Sequence, residues 1–359
     1  MLIQLRALPF ICLYILNKLN GERSVSAIYH LLKGKKSSQT IQDGKLFGVH
    51  AFFGTLPNVS REQITEAIES LENDFLIILN NQGHYALTEK GQQKLTELMA
   101  DLHLPPHLNG WQYHKLTNLF WRRFSLLIQT LSNIIHKHSN FLPVQTDIDT
   151  QSFVKKAILS KKTSTQTFAK VVHNETDQLF TMLTEQEATI LAYQLSGYEE
   201  AGLTISQLAK RFNIEEVWGQ LHFVGAIHHM LYILHQNKEA FPELYSLCED
   251  VLAEGTYTVT TEKTWKLLAK GFSIEQIAKV RNLKESTIED HIVEIILHDQ
   301  TFSINNYISN EHRKEIEKAI DQLKTKRLKI IKEYINNDEI NYFHIRLVLT
   351  KIGDRIESE

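Results

Sequence analysis

Cysteine is scarce in this chain of 359 residues, with only Cys12 and Cys248, each among apolar neighbours. That count excludes a disulfide framework and a cysteine-rich zinc site, and points to two buried thiols in a reducing compartment. An excess of basic charge is missing as well: 39 Lys and Arg stand against 42 Asp and Glu, a net charge of −3. A nucleic-acid binder is expected to be basic, so any such affinity must come from local patches. No GxxxxGK[ST] phosphate loop, no GxGxxG after a strand and no GxSxG elbow occurs. Without such a constellation nothing supports catalysis, and no cofactor is expected.

Long apolar runs are also lacking. The opening stretch MLIQLRALPFICLYIL is interrupted by Arg6 and Pro9, and no small-residue cleavage site precedes Asn17 and Lys18. It is too short to cross a bilayer. Pro9 is expected in the first turn of a buried helix, in a cytoplasmic protein with no membrane partner. Histidine is plentiful, 17 in all, and His222, His228, His229 and His235 crowd one helical stretch. The i, i+4 histidine pair with a glutamate between, which zinc proteases use, is missing there. No carboxylate falls between Leu221 and Gln236. Satisfied core or surface histidines are the expectation, with no metal site.

What is present is helical periodicity. The stretch 260–296, TTEKTWKLLAKGFSIEQIAKVRNLKESTIEDHIVEII, reads as three short helices. Thr260 or Thr261 is expected to cap the first, which carries Trp265 and Leu268 inward and stops at Gly271. Ser273 with Gln276 has capping-box spacing, and Ile274, Ile277 and Ala278 make an inner face. After a turn at 281–284, Ile288, Ile292, Ile295 and Ile296 follow i, i+4, i+7 and i+8. Two short helices joined by a tight turn, with alanine where they cross, make a helix-turn-helix. Its last helix usually enters the DNA major groove.

The fold class expected is mainly α, and the length suits two or three domains. Residues 1–103 read as a winged-helix-like domain. Helices are expected at 9–20, 24–32 and 40–53, with a basic connection at 33–39. In that connection Lys33, Lys35 and Lys36 with Ser37 and Ser38 could hold a phosphate, or form a solvated loop. Ser60 with Gln63 caps a further helix with Ile64, Ile68, Leu71 and Phe75 inward. A hairpin follows, with strands at 76–79 and 84–88 and a turn at 80–83. Residues 104–110, with paired prolines and a glycine, are a linker. Residues 111–250 read as a helical middle domain, with a long helix at 111–137 and a polar one at 152–183. A degenerate helix-turn-helix-like unit at 184–235 has so apolar a last helix that it reads as structural. Residues 256–353 form the C-terminal helix-turn-helix domain.

The tail YALTEKG at 85–91 resembles the wing of winged-helix DNA-binding domains, MarR-like and PadR-like regulators among them. The presumed recognition helix before it carries Glu62, Glu66, Glu69, Glu72 and Asp74 against Arg61 alone. Phosphates repel such a face, so a protein-interaction winged helix is the favoured reading there. The segment 257–352 resembles the helix-turn-helix domain at the C-terminus of RecQ-type DNA helicases. That resemblance rests on TEKT at 261–264, KGFSIEQIA at 270–278, RNL at 281–283, STIEDH at 286–291 and INYFHIRLVL at 340–349. With LNGER at 19–23 and IYHLLKGKKSSQTIQD at 28–43, the whole chain is similar to the YpbB family of Firmicute proteins. The resemblance implies a non-enzymatic partner of a RecQ-like DNA helicase, acting on DNA in repair or recombination. The three-helix core is also similar to LuxR-type response regulators. It departs from them at Arg281, at Asn282 in the turn and at Lys284, which gives no capping acceptor and opposes the helix dipole.

The candidate DNA-binding residues are Lys279, Arg281 and Lys284 around the turn, Ser286, Thr287, Glu289 and Asp290 on the third helix, and Lys324, Lys326 and Lys329 beyond it. The acids Glu289, Asp290 and Glu294 are expected on that helix's exposed side. The basic run 324–332 is expected on a helix with Ile316, Ile320, Leu323 and Ile330 inward, its lysines solvated and Arg327 packed near the apolar face. Alternatives are a protein-interaction adaptor without DNA contact, favoured by the acidic helices, and a transcription regulator.

Overall fold

A computed structural model describes residues 6–81, 83–253 and 258–352. Residues 1–5 of the opening stretch, Gln82 of the expected turn, and positions 256, 257 and 353 of the expected C-terminal domain lie outside them. The protein is mainly helical, as its periodicity requires. In the N-terminal part, helices α1 (Ala7–Leu19), α2 (Val25–Lys33), α3 (Ser38–Leu46) and α4 (Arg61–Asn73) precede strands β1 (Ile77–Leu79) and β2 (Tyr85–Leu87) and helix α5 (Glu89–Asp101). Next come α6 (Gly110–Ile135), α7 (Ile148–Leu159), α8 (Thr165–Thr181), α9 (Glu185–Ala192), α10 (Ile205–Phe212), α11 (Glu216–Gln236), α12 (Pro242–Tyr245) and α13 (Glu249–Ala253). Last are α14 (Val259–Leu268), α15 (Ile274–Arg281), α16 (Glu285–His298), α17 (Asn310–Leu323), α18 (Leu328–Ile335) and α19 (Tyr342–Ile352).

The chain forms two compact units, neither continuous in sequence. One comprises Met1–Ile11, Phe52–Val59 and Thr96–Glu254; the other comprises Cys12–Ala51, Ser60–Leu95 and Gly255–Glu359. The helix-turn-helix segment therefore shares a unit with α2, α3, α4 and the hairpin.

In the first unit the core lies between α6, α8, α9 and α11, around Phe120, Phe124, Leu191, Ile227 and Met230. Several polar groups drawn into this core are matched. Arg123 of α6 is buried and holds Asp250 through both carboxylate oxygens, at 2.7 and 2.8 Å, while donating to the Leu247 carbonyl. His228 accepts the Asn109 amide at Nδ1 (2.9 Å), and its Nε2 meets the Thr117 hydroxyl at 3.0 Å. Burial pushes its pKa down to about 3, so the ring is neutral. His229 Nδ1 sits 2.9 Å from the Glu187 carboxylate, and its ring stacks on His107 with centroids 3.5 Å apart. His222 is buried with Nε2 unbonded among the described residues. Most of α11 is buried, from Leu221 to Leu231 without a break.

In the second unit the wing is built as its sequence directs. Ser60 accepts the Gln63 amide at 3.2 Å and Gln63 Oε1 accepts the Ser60 amide at 2.9 Å, closing the capping box of α4. Ile64, Ile68 and Leu71 are buried. β1 and β2 pair antiparallel, with Ile77 opposite Leu87 and Leu79 opposite Tyr85. Gly91 lets α5 pass over β1: a Cβ there would lie 2.0 Å from the Leu76 carbonyl oxygen. Pro9 stands in the first turn of the buried α1, where Ile11, Leu13 and Ile15 are fully enclosed. Cys12 and Cys248 are buried free thiols whose pKa burial pushes up to about 12, so both are inert.

Several expectations need correction. The helix expected at 40–53 stops at Leu46, because Gly48 turns left-handed (φ 63°); a short 3₁₀ turn at His50–Phe52 follows. Phe75 does not join the inner face of α4. It follows the helix end in a left-handed conformation (φ 56°) and is 75% exposed. The helix expected at 152–183 is two, α7 and α8. Asp147 caps the first and Ser164 the second, each accepting an amide of the first turn. A serine whose oxygen bonds the backbone favours such a restart over a continuous helix. The basic run beyond the helix-turn-helix does not ride one helix either. Lys324 is left-handed (φ 48°) and ends α17, and α18 begins only at Leu328.

Candidate nucleic-acid interface

The helix-turn-helix is assembled by caps. The cap of α14 is Thr258, whose hydroxyl accepts the Thr261 amide at 3.3 Å, not Thr260 or Thr261. Thr261 and Thr264 are instead fully buried, because their hydroxyls are needed inside. Ser273 and Gln276 close a capping box on α15. Asn282 ends α15 in the left-handed conformation (φ 52°), which asparagine tolerates, and the Leu283 amide returns to the Ala278 carbonyl at 3.0 Å. Lys284 stands at the N-cap of α16 with no side-chain capping bond.

Helix α16 packs against α14, α15 and α19, and also against α3 from the N-terminal part of the chain. Ile288, Ile292, Ile295 and Ile296 are fully buried, as their spacing requires, but burial goes further. Every residue from His291 to Leu297 is buried, which closes that length of the helix on all sides. Glu294 is therefore not exposed. Its carboxylate accepts the Thr258 amide at 2.6 Å and the Thr261 hydroxyl at 2.7 Å, tying α16 to the start of α14. Only the first turn of α16, with Lys284, Glu285 and Ser286, is open to solvent, and Thr287, Glu289 and Asp290 are half-buried.

The candidate residues separate by what they touch. Lys279 is exposed and pairs with Glu275 at 2.6 Å, which raises its pKa. Arg281 turns inward, donating to the Thr260 carbonyl at 2.8 Å and to the Thr264 hydroxyl. Asp290 is held by Arg346 of α19 at 2.6 Å, and the same guanidinium donates to Gln42 of α3 at 3.0 Å. Burial raises the carboxyl pKa of Glu289. Lys324 is exposed at the end of α17, and Lys329 is exposed within 3.7 Å of Glu333. Lys326 is not on a solvated face: its amide donates to Glu22 at 2.9 Å, its ammonium donates to the Leu46 carbonyl and lies over the Phe47 ring. Arg327 packs inward as expected, donating to the Gly21 carbonyl and meeting His84 Nδ1 at 2.7 Å.

Residues 260–349 match the family described as a helix-turn-helix domain. Protein YpbB of Bacillus subtilis (strain 168) is 35% identical over 335 residues, which cover 93% of this chain and 94% of that protein. The chain belongs to the YpbB family. No solved structure matches it. Among the described residues of this family member, no helix is long and apolar enough to cross a membrane. No group of three or more His, Cys, Asp or Glu among them could hold a metal ion.

The open edge of the domain is thus the tip of the turn and the first turn of α16. It presents Lys279, Lys284 and the hydroxyls of Ser286 and Thr287, a set able to meet phosphate oxygens. Sequence reasoning missed the inward role of Arg281. The signal was present in its position, where related domains prefer an apolar residue.

Proposed function

We propose that the protein is a non-enzymatic DNA-binding accessory factor working beside a RecQ-like DNA helicase in repair or recombination. The observation that carries this reading is the exposed entrance of a helix-turn-helix, with Lys284 at the N-cap of α16 and Ser286 beside Glu285 in its first turn. Helix-turn-helix domains meet DNA with the N-terminal residues of their last helix, and those are the residues left open here. Lys279, Lys284, Ser286 and Thr287 make the contact, with Lys324 and Lys329 as outlying cations. Arg281 and Lys326 serve the fold. The helicase partner is supported by the likeness of segment 257–352 to the tail domain of RecQ-type helicases. A helicase tail on a separate chain suits a subunit acting in trans.

The test is co-purification of the full chain with the cell's RecQ-like helicase, without and with nuclease. Recovery that survives nuclease supports a direct partnership. Absence of the helicase under both conditions removes the partner from the proposal.

A second reading, a protein-interaction adaptor, is favoured by one observation. The stretch from His291 to Leu297 is enclosed by α14, α15, α19 and α3, so α16 has no free length to lay in a groove. Under that reading the chain binds the helicase and shows no DNA affinity of its own.

A further inference from the structure

Within the second unit, a cleft of about 560 Å³ opens between α2, α3 and the start of α18. Cations from three separate stretches of chain line it: Arg23 after α1, Lys35 between α2 and α3, and Arg327 and Lys329 around the start of α18. In a chain of net charge −3 this convergence is local. We propose that this cleft is a binding site for a phosphate ester.

The charge balance favours an anion. Two carboxylates also line the cleft, and both are engaged. Asp43 is taken by Arg23 at 2.8 Å, and Glu22 accepts the Lys326 amide at 2.9 Å. Among the described residues, no carboxylate pairs with Lys35 or Arg327. The field is felt by His30 on the same wall. Burial lowers its pKa, and the charges of Lys35 and Arg61 lower it further.

The geometry favours phosphate over a diffuse counterion. Arg327 is immobilised through Nη2 by Gly21 and His84. With Nη2 committed, the fixed charge and the remaining Nη1 and Nε hydrogens are what this guanidinium offers an anion. Ser24, Ser26 and Ser37 share the wall, the Ser37 hydroxyl being engaged by Thr40. Ser24 stands at the N-cap of α2 and makes no side-chain capping bond, so its hydroxyl is open to an acceptor. The volume lies within the range of about 300–1,000 Å³ that small-molecule sites occupy. The connection at 34–37, which has no part in the helix-turn-helix, contributes Lys35 and Ser37 to this wall. The site does not depend on DNA binding at the turn. A nucleotide and the phosphorylated end of a strand present the same chemistry.

The test is titration calorimetry on the full chain with three probes: pyrophosphate, AMP and a short 5′-phosphorylated oligodeoxynucleotide. Thermal melting is followed on each variant. Saturable binding of at least one probe is expected, weakened about tenfold in Lys35→Gln without a change in melting temperature. The double variant Lys279→Glu with Lys284→Glu is expected to leave AMP or pyrophosphate binding unchanged. Binding of AMP or pyrophosphate assigns the cleft to free phosphate esters; binding of the oligonucleotide alone assigns it to strand ends. No saturable binding of any probe overturns the proposal. So does unchanged affinity in both Lys35→Gln and Lys329→Gln, whatever Arg327→Gln does to the fold.

Discussion

Arg281 and His291 meet over the hydroxyl of Thr264. The guanidinium donates to that hydroxyl, the hydroxyl lies 2.8 Å from His291 Nδ1, and Arg281 Nη1 stands 3.3 Å from the same nitrogen. The arginine of the turn is thus a bond between α14 and α16. Burial, and then the Arg281 charge, push the His291 pKa down to about 4. The neutral ring can accept at Nδ1, and α16 is held to α14 by a network with Thr264 at its centre.

Arg281→Ala is therefore expected to act on stability before it acts on DNA. It removes a charged donor from the Thr260 carbonyl and from the Thr264 hydroxyl, which keeps His291, at a cost of about 1 kcal/mol. Denaturant unfolding measures this as a lower midpoint with unchanged slope. An unaltered midpoint would return Arg281 to the surface.

The same network sets a pH dependence. The folded pKa of His291, about 4, lies below its ordinary 6.5, so the unfolded chain binds more protons between these values. Stability from this site is full above pH 6.5 and is lost as pH falls toward 4. His228 acts the same way in the other unit, with a folded pKa of about 3. Unfolding midpoints at pH 7 and pH 5 check this: a drop at the lower pH is expected, and His291→Asn should make it smaller while His228 keeps its share.

Glu294→Ala is expected to cost about 2–4 kcal/mol, because it strands the Thr258 amide and the buried Thr261 hydroxyl together. Glu294→Gln keeps an acceptor and is expected to lose less. A melting series on both variants decides. Equal, small losses would place Glu294 at the surface, where its sequence neighbours Asp290 and Glu289 first suggested it lay.

Much of this architecture was legible in the sequence. The apolar spacing of α16, the capping boxes at Ser60 and Ser273 and the hairpin are local signals, and local energies decide them. What was not legible depends on distant chain. Glu294 reads as a solvent-facing acid until Thr258 and Thr261 fold back on it. Lys326 reads as one lysine in a basic run until Glu22, Leu46 and Phe47, some 280 residues earlier for Leu46, come to meet it. The break at Lys324 was hidden because lysine rarely takes a left-handed backbone. The packing of α3 on α16 has no local signature, and it is what limits the open part of the interface to the first turn.

Lys279→Glu with Lys284→Glu is expected to weaken DNA binding and leave the fold intact. Both side chains are exposed, and Lys279 gives up only its solvent-screened i, i+4 pair with Glu275. Electrophoretic mobility shift alongside thermal melting separates the two effects. Unchanged affinity in this variant would exclude the turn as the contact surface.

The most direct measurement is the affinity of the full chain for DNA across a salt series. The logarithm of the binding constant is expected to fall linearly with the logarithm of salt, losing roughly 0.9 of slope for each phosphate contact removed by Lys279→Glu and Lys284→Glu. No DNA binding at low salt, or binding whose slope those substitutions leave untouched, would contradict a DNA-binding role for the helix-turn-helix.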